Sequence, residues 1–284
     1  MGFLALLAVV LAITATALLA KMAVRRGVTS LDLATTLFGF GALLGGVVLW
    51  GRLPESVSPR AVGIAALAGV GGAFAVWTFN SALRRGHFGF SNAIYRSSFL
   101  VPVLFSVLFL HAPLRATTVG GIACILAGIF LMSQAGTSGG VGEPRKALGR
   151  WVVLILLAFL FSGAPRVGQT LTSAAHDNGF VYLFLSYLFG AVVLLALTLR
   201  RGAFHVASLP WGAGAAAASY VGVFCTLKAL QTLTPQVVFP ISLSAPILLG
   251  LLCSRGFFRE RISLRGGVGA ALGLGGILVL AIWR

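Results

Sequence analysis

The chain has 284 residues, of which 58% are hydrophobic and only 9% charged, and its mean hydropathy is +1.02. An ordinary soluble surface is therefore excluded over most of its length. The net charge of +16, from 21 Lys and Arg against 5 Asp and Glu, would point to nucleic acid in a soluble protein. Here the basic residues sit between apolar runs and read as topology signals and phospholipid contacts, with no nucleic-acid partner.

A spanning helix needs about 20 mostly apolar residues, and runs of that kind follow one another at 3–20, 31–50, 61–83, 88–110, 117–134, 151–173, 180–199, 209–230, 235–253 and 266–283. The first lacks the basic start and cleavage site of a secretory signal, and its basic cluster, Lys21, Arg25 and Arg26, follows it. It is read as a retained first span. In the third, Trp77, Asn80 and Ser81 are the polar or amphipathic side chains, with Trp77 also suited to packing or an interface anchor.

The fourth run carries Arg96, a few residues from its middle, with Asn92 at i−4 and Phe99 at i+3. That face holds an amide, a guanidinium and an aromatic ring, and Tyr95 adjoins it. A charge deep in a bilayer costs several kcal/mol unless it meets a cavity or partner, so Arg96 is the leading candidate to bind a carboxylate or phosphate bidentately. The competing reading is an arginine that bonds neighbouring carbonyls. Pro102 lies further along the same run.

Between the fifth and sixth runs, 135–150 is rich in Gly and Ser and contains Glu143-Pro144-Arg145-Lys146, a linker that divides the chain into halves at 1–134 and 151–284. The sixth run places Ser162, Arg166, Gln169 and Ser173 in a polar stripe, with Pro165 expected to interrupt the helix. Arg166 faces either a cavity or the outer headgroups by snorkelling. The eighth has a row of Tyr220, Phe224, Lys228 and Gln231, in which Lys228 also sits near enough to the end to snorkel. The ninth offers Gln236, Phe239 and Ser242 around Pro240 and Pro246, both expected to break regular hydrogen bonding.

Lipid leaves no water to satisfy the backbone, so these run lengths predict a helical bundle rather than a barrel of alternating ten-residue strands. The loops after the first, third, fifth, seventh and ninth runs hold fourteen basic residues, and the other loops and the terminus hold four. That bias predicts a bacterial inner-membrane protein with both termini periplasmic. Five spans per half require any internal repeat to be inverted. Ser98-Phe99-Leu100-Val101-Pro102 against Ser244-Ala245-Pro246, Ala82-Leu83 against Ala229-Leu230, and Ala127-Gly128-Ile129 against Gly275-Gly276-Ile277 support one. The predicted fold is an all-α membrane protein of ten transmembrane helices in two inverted five-helix repeats.

With these motifs the chain resembles the drug/metabolite transporter superfamily of the EamA type, whose halves share a mid-helix Pro in span four and a Glu-Arg-hydrophobic-Ser/Thr turn before the last helix. That turn is Glu260-Arg261-Ile262-Ser263 here, and the first half departs from it with His111-Ala112-Pro113-Leu114. The resemblance implies a transporter of amino acids, sugars, nucleotide sugars, organic phosphates or drugs, with a central cavity lined by spans three, four, eight and nine and helped by one and six.

Asp32 and Asp177 lie at helix ends, Glu55, Glu143 and Glu260 in loops, and the four histidines outside the apolar middles. No carboxylate is thus expected in the middle of a span to carry protons or a cation. The three cysteines have no ligand spacing and read as packing residues, so no metal and no cofactor is expected. A membrane enzyme is disfavoured by the lack of a His-carboxylate cluster or nucleophile elbow, and a scaffold by the lack of a sizeable loop. The expectation is export or exchange of an anionic or zwitterionic metabolite such as an amino acid, by alternating access. A flippase for an anionic lipid headgroup and a multidrug exporter are the alternatives. A monomer suffices and a dimer stays open.

Overall fold

The computed structural model describes residues 2–50, 57–83, 94–95, 97–112, 114–135, 145–258 and 264–282. Among them are ten α-helices: α1 (Gly2–Arg25), α2 (Ser30–Leu49), α3 (Pro59–Leu83), α4 (Leu100–Phe109), α5 (Ala116–Ala135), α6 (Arg145–Ala174), α7 (Gly179–Arg201), α8 (Leu209–Leu230), α9 (Pro235–Phe258) and α10 (Leu264–Ile282). Short 3-10 turns, Ser97–Phe99 and Val206–Ser208, lead into α4 and α8. Helices α1, α2, α3, α6, α7 and α8 each contain a stretch long and apolar enough to cross a membrane, and α4, α5 and α10 are shorter apolar helices. The chain is a multi-pass helical membrane protein.

Local chemistry sets several boundaries. Thr29 caps α2 by accepting a hydrogen bond from the Asp32 amide at 3.3 Å, and Asn178 caps α7 by accepting from Phe180 and Val181. Helix α7 stops at Gly202, whose φ of +71° is a left-handed conformation that glycine adopts without a Cβ clash. Helix α6 starts at Arg145, so Arg145 and Arg150, read above as part of the linker, belong to its first two turns.

The chain forms two compact units, each containing segments from both halves of the sequence. The first comprises Met1–Trp77 and Ala164–Leu233. Within it α2 and α7 run antiparallel, and their contact is reciprocal. A Cβ on Gly41 would meet the Tyr187 ring, and one on Gly190 would meet the Phe38 ring. Phe38 and Tyr187 are separated along the chain by the same number of residues as Gly41 and Gly190, and their rings meet edge to face at 5.6 Å. The contact therefore maps onto itself when the two halves are exchanged. Around it pack Ala65, Ala68, Tyr182, Leu183, Tyr220 and Leu227.

The second unit comprises Thr78–Gly163 and Thr234–Arg284. Its helices α5 and α10 touch backbone to backbone, also antiparallel. A Cβ on Gly276 would lie 2.6 Å from the Gly121 carbonyl oxygen, and one on Gly128 would lie 2.6 Å from the Gly269 carbonyl oxygen. Gly121 and Gly128 are one repeat away from Gly269 and Gly276, so this contact has the same reciprocity. Lipid supplies no hydrophobic force between helices, and close approach through small residues recovers the attraction by dispersion. Elsewhere in the unit Ala82, Ile155 and Ala158 form a buried cluster with Phe79, Tyr95 and Trp151 around it.

Candidate functional site

The site residues expected from sequence divide between the units. In the first, Arg166 is half-buried on α6, Gln169 and Thr170 beside it are buried, and the Thr170 hydroxyl donates to the Arg166 carbonyl at 3.0 Å. Pro165 lies inside α6, where it has no N–H to offer the Phe161 carbonyl. Its own carbonyl accepts a 2.7 Å hydrogen bond from Tyr182, a residue the sequence reading passed over.

On α8 of the same unit, Tyr220, Phe224 and Lys228 follow one another at helical spacing. Tyr220 is buried at the base, stacked on Tyr187 at 6.2 Å, and its hydroxyl has no hydrogen-bond partner. Phe224 stacks on Phe180 at 5.3 Å. Lys228 is exposed, with its ammonium 5.8 Å from the Phe224 ring centre. Trp77 is 42% exposed and meets Phe74 edge to face.

The second unit holds the most unusual polar group. Gln236 is 2% exposed at the start of α9, and among the described residues neither its amide nitrogen nor its amide oxygen has a hydrogen-bond partner. Pro240, four residues on, has no N–H to donate to the Gln236 backbone carbonyl. The first turns of α9 thus combine an unsatisfied amide with an interrupted backbone ladder. Phe239 is fully buried beside them. The hydroxyls of Ser242 and Ser244 turn back to the carbonyls of Phe239 and Pro240, and Pro246 interrupts the helix again.

Ser98, another residue the sequence reading did not single out, is wholly buried in the 3-10 turn before α4, with its hydroxyl unpartnered. That turn packs on α9. Tyr95, half-buried, stacks on Phe79 at 4.2 Å. Ser162 is buried and donates to the Phe159 carbonyl at 3.0 Å. Pro102 is buried in the first turn of α4, where its missing N–H breaks no helical bond. Asn92, Arg96 and the Asn80 side chain lie outside the described residues.

An unpaired buried amide costs several kcal/mol in an apolar medium, and buried polar groups are nearly always paired. Among the described residues, Gln236 and Ser98 in the second unit and Tyr220, Ser208 and Asp177 in the first carry buried side-chain atoms without a hydrogen-bond partner. Gln236 offers two donors and an acceptor, and the hydroxyls offer one donor each with acceptor capacity. Among the described residues no cluster of His, Cys, Asp or Glu has the arrangement of a metal site.

Asp32 stands in the first turn of α2, the helix-end position expected of it. It is wholly buried and is held by Arg201 and His205. The Thr29-x-x-Asp32 spacing of a capping motif was the available signal.

The EamA-like transporter family model matches the chain twice, over residues 1–134 and 149–282. An uncharacterised protein of Haemophilus influenzae is 24% identical over 197 residues, 67% of this chain and 65% of that protein. The chain thus spans somewhat less than two thirds of the length of that relative. A solved crystal structure of a protein at 20% identity superposes over 99% of both chains with a TM-score of 0.78, a likeness of fold.

Proposed function

The chain belongs to the EamA-like transporter family, and from that premise we propose that it is a secondary transporter moving a small organic solute across the bacterial inner membrane by alternating access. Its cargo in this reading is an anionic or zwitterionic metabolite such as an amino acid, exported or exchanged. The fold in which it does so is ten spans in two inverted repeats, with both termini periplasmic and the monomer as the working unit. The observation that carries the proposal is the Gln236 amide, buried in the first turn of α9 with neither atom hydrogen-bonded among the described residues. A static protein gains nothing from such a group, whereas a carrier keeps it for its cargo.

Charge selectivity rests on Arg166 and Arg96, the arginines within apolar runs. A guanidinium grips a carboxylate bidentately, the contact that would select an anionic or zwitterionic cargo. An anion leaving a cell with a negative interior gains about 2.3 kcal/mol per charge per 100 mV, so export needs no proton relay. Counterflow in sealed proteoliposomes, with labelled amino acids, organic acids and phosphate esters on one side and the unlabelled solute on the other, tests this. Accumulation of an anionic or zwitterionic solute is expected. Movement of cations alone would overturn the substrate class, and movement of nothing would overturn the transport reading.

A further inference from the structure

At the end of the first unit where α1 gives way to α2, three helices are tied together by polar groups. The Asp32 carboxylate is wholly buried, and the Arg201 guanidinium lies 3.0 Å from both of its oxygens. The imidazole Nδ1 of His205 lies 2.8 Å from one of them. Arg201 also donates to the Thr29 hydroxyl and to the Ala203 carbonyl, so the α7–α8 connection is drawn onto the first turn of α2.

One turn further along, the Thr35 and Thr198 hydroxyls are 2.8 Å apart, joining α2 to α7, and Thr35 also lies 3.4 Å from the Leu194 carbonyl. The Thr36 hydroxyl lies 3.5 Å from the Ser208 carbonyl at the start of α8, and a Cβ on Gly212 would run into Thr36. Thr35, Thr36, Thr198 and Ser208 are all buried.

We infer that this is a permanent clasp: the Asp32 ends of α2, α7 and α8 stay locked together through the transport cycle, and solute enters and leaves this face elsewhere. The inference rests on the transport reading and adds to it a statement of which helices do not part. A gate that opens must expose what it closes, and here that would strip a buried carboxylate of its guanidinium, a step that costs several kcal/mol. Gates are built from weak, re-formable contacts, whereas ion-pair, hydroxyl and backbone contacts in consecutive turns make one cooperative tie.

The test locks the clasp covalently. In a background carrying Cys124→Ala, Cys225→Ala and Cys253→Ala, the pair Thr35→Cys and Thr198→Cys places two sulfurs where hydroxyls already sit 2.8 Å apart, within small adjustment of disulfide geometry. Counterflow by the oxidised protein at the rate of the reduced protein is expected. Loss of counterflow on oxidation and its return on reduction would overturn the inference.

A second arm needs no transport. The single variant Thr35→Cys is exposed to a membrane-impermeant maleimide on each side, with and without the solute pool, and Ala203→Cys, at an exposed position, serves as the reactive reference. Protection of residue 35 under every condition supports the clasp, and labelling of it contradicts the clasp. If the cysteine-free parent moves no solute, the transport reading fails and the labelling arm alone decides whether the helices part.

Discussion

Gln236 is the residue at which stability and function are expected to separate. Gln236→Leu removes an amide that has no partner among the described residues, so unfolding should become no easier, and harder by about 1–3 kcal/mol if the amide is unsatisfied at rest. The same change should cut transport about tenfold or more, the worth of one good hydrogen bond to the cargo. Thermal unfolding in detergent and counterflow in vesicles, measured on the one variant, check both. A variant less stable than wild type with unchanged transport would assign the amide to packing. Asp32→Asn is the opposite case. It weakens the charge-assisted bonds to Arg201 and should cost on the order of 1–3 kcal/mol in unfolding measurements. Both residues stand in the sequence as polar letters near apolar runs. Gln236 was legible because Pro240 and Phe239 follow it in a span. The burial of Asp32 was not, because its partners Arg201 and His205 come from the far half of the chain and no local spacing announces them.

At the level of elements, the reciprocal contact between α5 and α10 carries its own prediction. Gly128→Ala would drive a methyl group to 2.6 Å from the Gly269 carbonyl and 2.7 Å from the Gly273 nitrogen, backbone atoms that cannot swing aside. The helices must separate, and a loss of about 1–3 kcal/mol is expected in detergent unfolding. Gly120→Ala, on the same helix with open space around it, should be neutral by the same measurement. Helix positions were readable from apolar runs because lipid imposes a length. Their ends were less so: α6 begins at Arg145, because a helix can continue beyond its apolar stretch and hydropathy does not mark where it starts. The approach to α4 through a 3-10 turn at Ser97–Phe99 left no mark in hydropathy, which reports solvent preference and not backbone pitch.

For the whole molecule, the repeat was visible as paired motifs such as Ala127-Gly128-Ile129 and Gly275-Gly276-Ile277, and the contacts of Gly128 with Gly269 and of Gly121 with Gly276 give those motifs a physical reason. Small residues survive in both copies where the copies meet. Orientation is a separate matter, carried by loop charge. Cysteines placed at Arg60 and at Ala203, both exposed, should react with an impermeant reagent from opposite sides of the membrane, Arg60 from the periplasm and Ala203 from the cytoplasm. Reaction of both from one side would contradict the topology. The substrate depends on residues that the fold alone does not rank, and the proposed reading assigns that role to Arg166 and Arg96. The most direct measurement is counterflow of a labelled pool of amino acids, organic acids and phosphate esters, comparing wild type with Arg166→Gln and Arg96→Gln. An anionic or zwitterionic solute moved by wild type and lost in either variant is the predicted result. Transport untouched by both changes, or confined to cations, would make the arginines structural and contradict the account.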